Sequence, residues 1–284
     1  MNYEFDLAEW LPRFPLLDSH GTNSGEIVTS PSSLCNNEWL RRGMREEFDW
    51  GDAVPVDIFV FGIGEPDNRF ATKIGGLPYR PASSRWPTTS NGRPMALIAQ
   101  FNFTQSLDLV GKLPGDLLLI FGDDSGGEVE PLYFEWQPLV PTDLVMGLPQ
   151  ESMAITPCFG YRCRTVSFPN ATEILSDNIR VQWDGKEVQG CYWLPTYQAM
   201  QIGRAPFFIH PGDSDLPGSP LCTVSSMAPD LFKPYPWVNR PDAICLDSEW
   251  PPPHDPALLS IGDTGCIYVF IEDDGTVHAG QSCY

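Results

Sequence analysis

Apolar residues in this chain come in short runs closed by glycine, proline, asparagine or aspartate. The clearest are Val54-Pro-Val-Asp-Ile-Phe-Val-Phe61, Met95-Ala-Leu-Ile-Ala-Gln-Phe-Asn-Phe103, Leu117-Leu-Leu-Ile-Phe121 and Val129-Glu-Pro-Leu-Tyr-Phe-Glu-Trp136. Runs of this length between turn formers predict strands. Apolar and polar residues alternate in the last run, which predicts a sheet with one wet face. Helical spacing is rarer. Leu40, Met44 and Phe48 recur at four-residue steps behind a cap at Asn36 or Asn37. Residues 3–17 predict a short helix or an extended arm, residues 18–34 a loop, and residues 171–179 a polar helix. Ser152-Met-Ala-Ile-Thr156 is a weaker run.

Between the first two strands lies Ile74-Gly-Gly-Leu-Pro-Tyr-Arg-Pro81. The glycine pair admits positive φ and close backbone approach, and Pro78 fixes φ and removes a donor, so a tight corner is expected. The corner recurs: Ile74, Gly75 and Pro78 match Ile202, Gly203 and Pro206, an offset of 202 − 74 = 128, with Tyr79 facing Phe207. Gly115, Asp123 and Asp124 match Gly265, Asp273 and Asp274, an offset of 265 − 115 = 150. Between them, Gln100-Phe-Asn102 faces Cys245-Leu-Asp247. The fold expected is α+β and strand-rich, with internally duplicated, pseudo-symmetric units whose antiparallel sheets share one core. Its parts within one domain are a helix and loop segment at 1–53, a first unit at 54–150, a connecting region at 151–200 and a second unit at 201–284.

Composition narrows the function classes. Apolar content of 42% supports a sizeable core. Seventeen Lys and Arg against 37 Asp and Glu, a formal charge of −20, argue against nucleic acid and favour a basic partner. No stretch approaches the length of a membrane helix. The acidic N-terminus lacks the basic region of a signal peptide, so a cytoplasmic location is expected. Eight cysteines in such a setting are expected to be reduced.

Most familiar chemistries fail on spacing. Asp124-Ser-Gly-Gly127 has the letters of a serine-protease nucleophile segment, yet the one upstream histidine, His20, stands in a polar loop, and a turn explains the segment better. Cys158 and Cys163 have no second pair, so no zinc is expected. Asp213-Ser-Asp215 begins like a calcium loop, but Val224 stands where a bidentate carboxylate is needed. Gly62-Ile-Gly64 lacks the third glycine of a dinucleotide site. No catalytic residue, metal or cofactor is expected. Rigid aromatic loops remain: Tyr79 with Trp86-Pro87, Phe232-Lys-Pro-Tyr-Pro-Trp237 and Trp250-Pro-Pro-Pro253. Tyrosine and tryptophan are common anchors at protein interfaces.

The chain resembles the YwqG-like family, a bacterial domain of unknown function. The resemblance rests on Lys73-Ile-Gly-Gly-Leu-Pro-Tyr79 with Trp86-Pro87, Leu97-Ile-Ala-Gln-Phe-Asn102, Leu113-Pro-Gly-Asp-Leu-Leu-Leu-Ile-Phe121, Ile202-Gly-Arg-Ala-Pro-Phe207, Cys245-Leu-Asp-Ser-Glu249 and Ile261-Gly-Asp-Thr-Gly-Cys-Ile-Tyr-Val-Phe270. It departs at Arg204, where the family keeps a second glycine, and at Cys245, where the family has glutamine. The resemblance implies an α+β fold with internal duplication. Distant eukaryotic relatives that chaperone a ribosomal protein, and bacterial relatives suspected of toxin immunity, imply protein binding.

The expected function is a non-enzymatic, cytoplasmic protein-binding module, a chaperone or immunity partner for a basic protein. The expected binding residues are Gly75, Gly76, Pro78, Tyr79, Trp86 and Gln100, with Asp247 and Trp237 in the second unit. The alternative is a carboxylate-based hydrolase or carbohydrate-active enzyme with its site between the units.

Overall fold

The computed structural model describes residues 51–123, 129, 132–140, 143–169, 180–183, 186–189, 196, 198–227 and 257–283. In chain order its strands are β1 (Val54–Ile63), β2 (Lys73–Ile74), β3 (Ala96–Asn102), β4 (Leu117–Gly122), β5 (Tyr133–Gln137), β6 (Cys158–Ser167), β7 (Arg180–Trp183), β8 (Lys186–Gln189), β9 (Gln201–Ile202), β10 (Ser219–Ser225), β11 (Cys266–Ile271) and β12 (Val277–Ser282). Helix among the described residues is limited to α1 (Leu107–Val110) and one 3₁₀ turn, Pro211–Ser214. The apolar runs are five to ten residues long, shorter than a stable isolated helix needs. Their backbone groups therefore pair across strands.

Ten strands form one antiparallel sheet in the order β12-β11-β10-β9-β1-β6-β2-β3-β4-β5, and β7 and β8 pair separately. Read from its middle, the order runs alike in both directions. The two long strands, β1 and β6, pair over their full length, Val54 against Ser167 through Ile63 against Cys158. Each flanks the two-residue strand that ends at a corner. Asp57 opposes Ile202, as Cys158 opposes Ile74, an offset of 158 − 57 = 101. Thr223 opposes Gln201 as Gln100 opposes Lys73, an offset of 223 − 100 = 123.

The irregularities repeat as well. β3 shifts register between Leu97 and Ala99, and β10 between Pro220 and Cys222. At each bulge the corner glycine donates its amide to the bulged carbonyl, Gly75 to Ile98 at 3.2 Å and Gly203 to Leu221 at 3.0 Å. The amides of Gly160 and Phe59 likewise reach the carbonyls of Thr72 and Met200.

The sheet curls until β12 and the turn before it approach the segments that precede β4 and β5. Gln281 of β12 accepts the Val129 amide at 2.9 Å and donates to the Val129 carbonyl at 3.3 Å. At the other end of β12, a Cβ on Gly275 would stand 2.9 Å from Pro114, just before β4. One apolar cluster lies inside, including Phe101, Leu118 and Ile120 from one half of the sheet and Phe59, Phe61, Ile202, Val224, Ile267 and Val269 from the other. The loops after the corners cover the outer face: Trp86 packs on Leu119 and Phe121, and Phe208 on Tyr268 and Phe270.

Several expectations need correction. The chain is mostly β rather than α+β, because the described residues carry strands and two single turns in place of helices. In place of paired sheets there is one long sheet and a small hairpin. Thr223, not Cys245, stands where Gln100 stands in the first half. The next strands keep an offset of 268 − 119 = 149, since Leu119 opposes Gln100 and Tyr268 opposes Thr223, one residue short of the expected 150. Ser152–Thr156 is irregular, and β6 follows it. The helices expected at 3–17, 36–48 and 171–179 lie outside the described residues, as do Ser125, Cys245 and Trp250.

Candidate functional site

The corner after β2 is a left-handed pair, Gly75 with φ +59° and Gly76 with φ +69°. A Cβ at Gly75 would come within 2.9 Å of the Ile155 carbonyl, and one at Gly76 would collide with the Glu65 carboxylate. Glu65 lies under the corner because the turn gives it partners. It accepts the Leu77 amide at 2.6 Å and the Lys73 ammonium at 2.8 Å. Lys73 is fully buried and also donates to the Leu77 carbonyl. Burial pushes its pKa down, against the Glu65 hydrogen bond and charge.

Gln100 secures the far side of the corner. Its side-chain oxygen accepts the Tyr79 amide at 2.8 Å, and its nitrogen donates to the Arg69 and Ala71 carbonyls at 2.9 and 2.8 Å. The Pro78 carbonyl accepts Arg69 at 3.0 Å, and the Tyr79 hydroxyl donates to Val140 at 3.1 Å. The structure thus brings Gly75, Gly76, Pro78, Tyr79 and Gln100 into one assembly. All five are buried, and the polar side-chain atoms of Gln100 and Tyr79 are bonded within the chain. Trp86 stands on the outer sheet face, donating to the Met95 carbonyl at 2.8 Å and packing edge-on to Phe121 at 5.6 Å. Buried Arg80 lies over both rings and holds Glu135 with its Nε at 2.9 Å. Asp247 and Trp237 lie outside the described residues.

The second corner is built differently. Gly203 has φ +141°, while Arg204 stands where Gly76 would fall and has no positive φ. Its guanidinium reaches the Val110 carbonyl at 3.4 Å.

A second polar cluster escaped the sequence reading. Asp57 of β1 is wholly buried and faces Arg164 of β6 in register. Its carboxylate accepts the Ser106 hydroxyl at 2.6 Å and two nitrogens of Arg164, and Arg162 lies 3.5 Å away. Arg164 also donates to Asp108 at 2.6 Å. Hydrogen bonds to Asp57 and then Asp108 raise the Arg164 pKa, and the bond from Arg164 lowers that of Asp108. Arg164 thus bridges the two carboxylates, and its hydrogen bond stabilises Asp108 as an anion. Burial pushes the Arg162 pKa down, with Asp57 opposing. The discoverable signal was Arg162-x-Arg164 inside a strand: two charges on one face of a buried element require partners.

Beside this cluster is a pocket of about 50 Å³ lined by Phe59, Phe70, Thr72, Asn102, Thr104, Gln105, Gly160 and Arg162. Among the described residues no three His, Cys, Asp or Glu side chains form a metal-holding group. No helix among them is long and apolar enough to cross a membrane.

Comparison with known proteins places one stretch in context. A family described as a domain of unknown function (DUF1963) matches residues 72–135, which is 135 − 72 + 1 = 64 of the 284 residues. The match runs from just before β2 to within β5 and takes in the first corner, Trp86 and Gln100. No curated protein matches the chain. Over residues 72–135, then, the chain is similar to a family whose function is itself undefined.

Proposed function

We propose that this chain is a cytoplasmic, YwqG-like protein-binding module that engages a basic segment of another protein as a chaperone or immunity partner. The observation that carries this reading is the charge distribution. The formal charge is −20, and Lys73, Arg80, Arg93, Arg162 and Arg164 are each held against a carboxylate of the chain itself. Those cations contribute little to the outward field, which carboxylates dominate.

An apolar foothold accompanies that field. Phe70 is 39% exposed, Val140 52% and Met146 79%. They surround the corner: Phe70 packs edge-on to Tyr79 at 6.2 Å, the Val140 carbonyl accepts the Tyr79 hydroxyl, and Met146 lies 4.0 Å from Arg69. Exposed side chains on a clamped turn make an ordered anchor for an apolar residue flanked by lysine or arginine. The test is capture from the native host at low and high salt, using wild type and Met146→Asp. A stoichiometric basic partner that is lost at high salt and weakened by the substitution is expected. Failure to recover such a partner at low salt overturns the reading.

A further inference from the structure

The pocket beside Arg162 lies where four neighbouring strands, β1, β6, β2 and β3, run side by side. Arg162 is 7% exposed. Its Nη2 donates to the Asn102 carbonyl at 2.8 Å, and Nη1 comes no closer than 3.5 Å to Asp57. Nε and Nη1 have no hydrogen-bond partner. A guanidinium carries five N–H donors, and leaving them unmet in a buried site is costly. The Asp57 carboxylate already accepts three hydrogen bonds, from Arg164 and Ser106, and makes none with Arg162.

The fold does not require this polarity. The offsets that relate the two halves of the sheet carry Thr72 to Met200, Asn102 to Ser225 and Arg162 back to Phe61 (72 + 128, 102 + 123 and 162 − 101). All three counterparts are buried, and two of them are apolar. The same backbone arrangement is therefore stable with phenylalanine and methionine at these places, and the arginine, threonine and asparagine belong to one half alone.

We propose that this pocket is a carboxylate-binding site in which Arg162 supplies the charge and the forked donors. At about 50 Å³ it is larger than the roughly 10–15 Å³ that one water needs and suits a carboxylate group. The Thr72 hydroxyl already accepts the Asn102 amide and keeps its own proton to donate. Phe59 lies against the guanidinium, with Arg162 5.7 Å from its ring centre, and Phe70 borders the pocket while 39% exposed at the surface. Together they fit a short apolar group carrying the carboxylate. The site favours a monocarboxylate, free or terminal on a larger ligand, because Asp57 is close enough to repel a second negative charge.

The test is a titration of the full chain with propionate, with neutral, near-isosteric propionamide as control at matched ionic strength. Amide and side-chain N–H resonances of Asn102, Gly160 and Arg162 are followed by NMR. Propionate should shift them saturably and propionamide should not. Arg162→Lys, which keeps the charge but loses the fork, should weaken the propionate response at least tenfold while its melting curve and distant resonances stay unchanged. If that variant does not fold, the wild-type comparison of the two probes decides alone. Equal responses to the two probes, or no saturable response to propionate, would overturn the assignment. A propionate response undiminished in folded Arg162→Lys would overturn the role given to Arg162. None of these outcomes depends on whether a basic protein binds the chain.

Discussion

The amide of Gly75 donates to the carbonyl of Ile98, the residue that bulges from β3, at 3.2 Å. Gly203 and Leu221 repeat the relationship at 3.0 Å across the sheet. A bulge leaves one residue out of the ladder, with its carbonyl in need of a donor. A left-handed glycine after a two-residue strand presents its N–H at that place. Corner and bulge are thus one device, and they turn the chain out of the sheet so that the next loop can cover its outer face.

Gly76 and Glu65 should be energetically coupled. Gly76→Ala is expected to destabilise the protein by about 2–4 kcal/mol, through the left-handed backbone and displacement of a carboxylate that bonds Lys73 and Leu77. In the Glu65→Ala background the same substitution should cost less, since the clash has gone. Denaturant titration of the four proteins checks this, and strict additivity would contradict it.

Gln100→Leu should be among the most damaging single changes in the first half. It leaves the Tyr79 amide and the Arg69 and Ala71 carbonyls without their partner in a buried setting. A loss of about 3 kcal/mol or more is expected. Thr223→Val, at the related position of the second half, should cost less, because no corner amide is bonded to that side chain. Thermal melts of the two variants make the comparison.

Asp108 should contribute to acid stability. The hydrogen bond from Arg164 lowers its pKa below the usual carboxylate value of 3.8. Its contribution is therefore complete above that value and lost as pH falls through the lower folded-state value. The side chain is 63% exposed, so the effect is about 0.5 kcal/mol and screened by salt. Asp108→Asn should lower stability at neutral pH and flatten the stability curve below about pH 4. An unchanged acid limb would remove Asp108 from the account.

Gln281 should hold the two edges of the curled sheet together. Its side chain makes both hydrogen bonds that link β12 to Val129. Gln281→Ala is expected to cost about 1–2 kcal/mol and to speed hydrogen exchange at the Val129 amide more than in β3 or β4. Uniform acceleration across the sheet would mean that the seam does not open independently.

The strands of the first half were legible because each is a local apolar run with its own punctuation. The predicted runs at 54–61, 95–103 and 117–121 overlie β1, β3 and β4. β6 was not legible. Gly160, Arg162 and Arg164 break its apolar pattern, and what stabilises it is pairing with β1, more than a hundred residues earlier in the chain. Gln100 was singled out, but as a ligand-facing residue; only its three internal bonds show that it closes the corner. Gln100 corresponds to Thr223 rather than to Cys245 because strand pairing, which local residue similarity does not reveal, sets the equivalence.

By itself, the sequence determined where the apolar runs of β1, β3 and β4 extend, where glycine admits a left-handed turn and how strongly acidic the chain is. These follow from side-chain sterics, glycine's freedom and the count of charges, none of which needs a distant neighbour. Only the tertiary structure decided that the strands join in one curled sheet, that the Gly75–Gly76 corner is clamped by Glu65, Lys73 and Gln100, and that Arg162 is buried with donors unmet. Desolvation and hydrogen-bond satisfaction depend on which groups meet in space, and here those groups are brought together by strand pairing over long sequence distances.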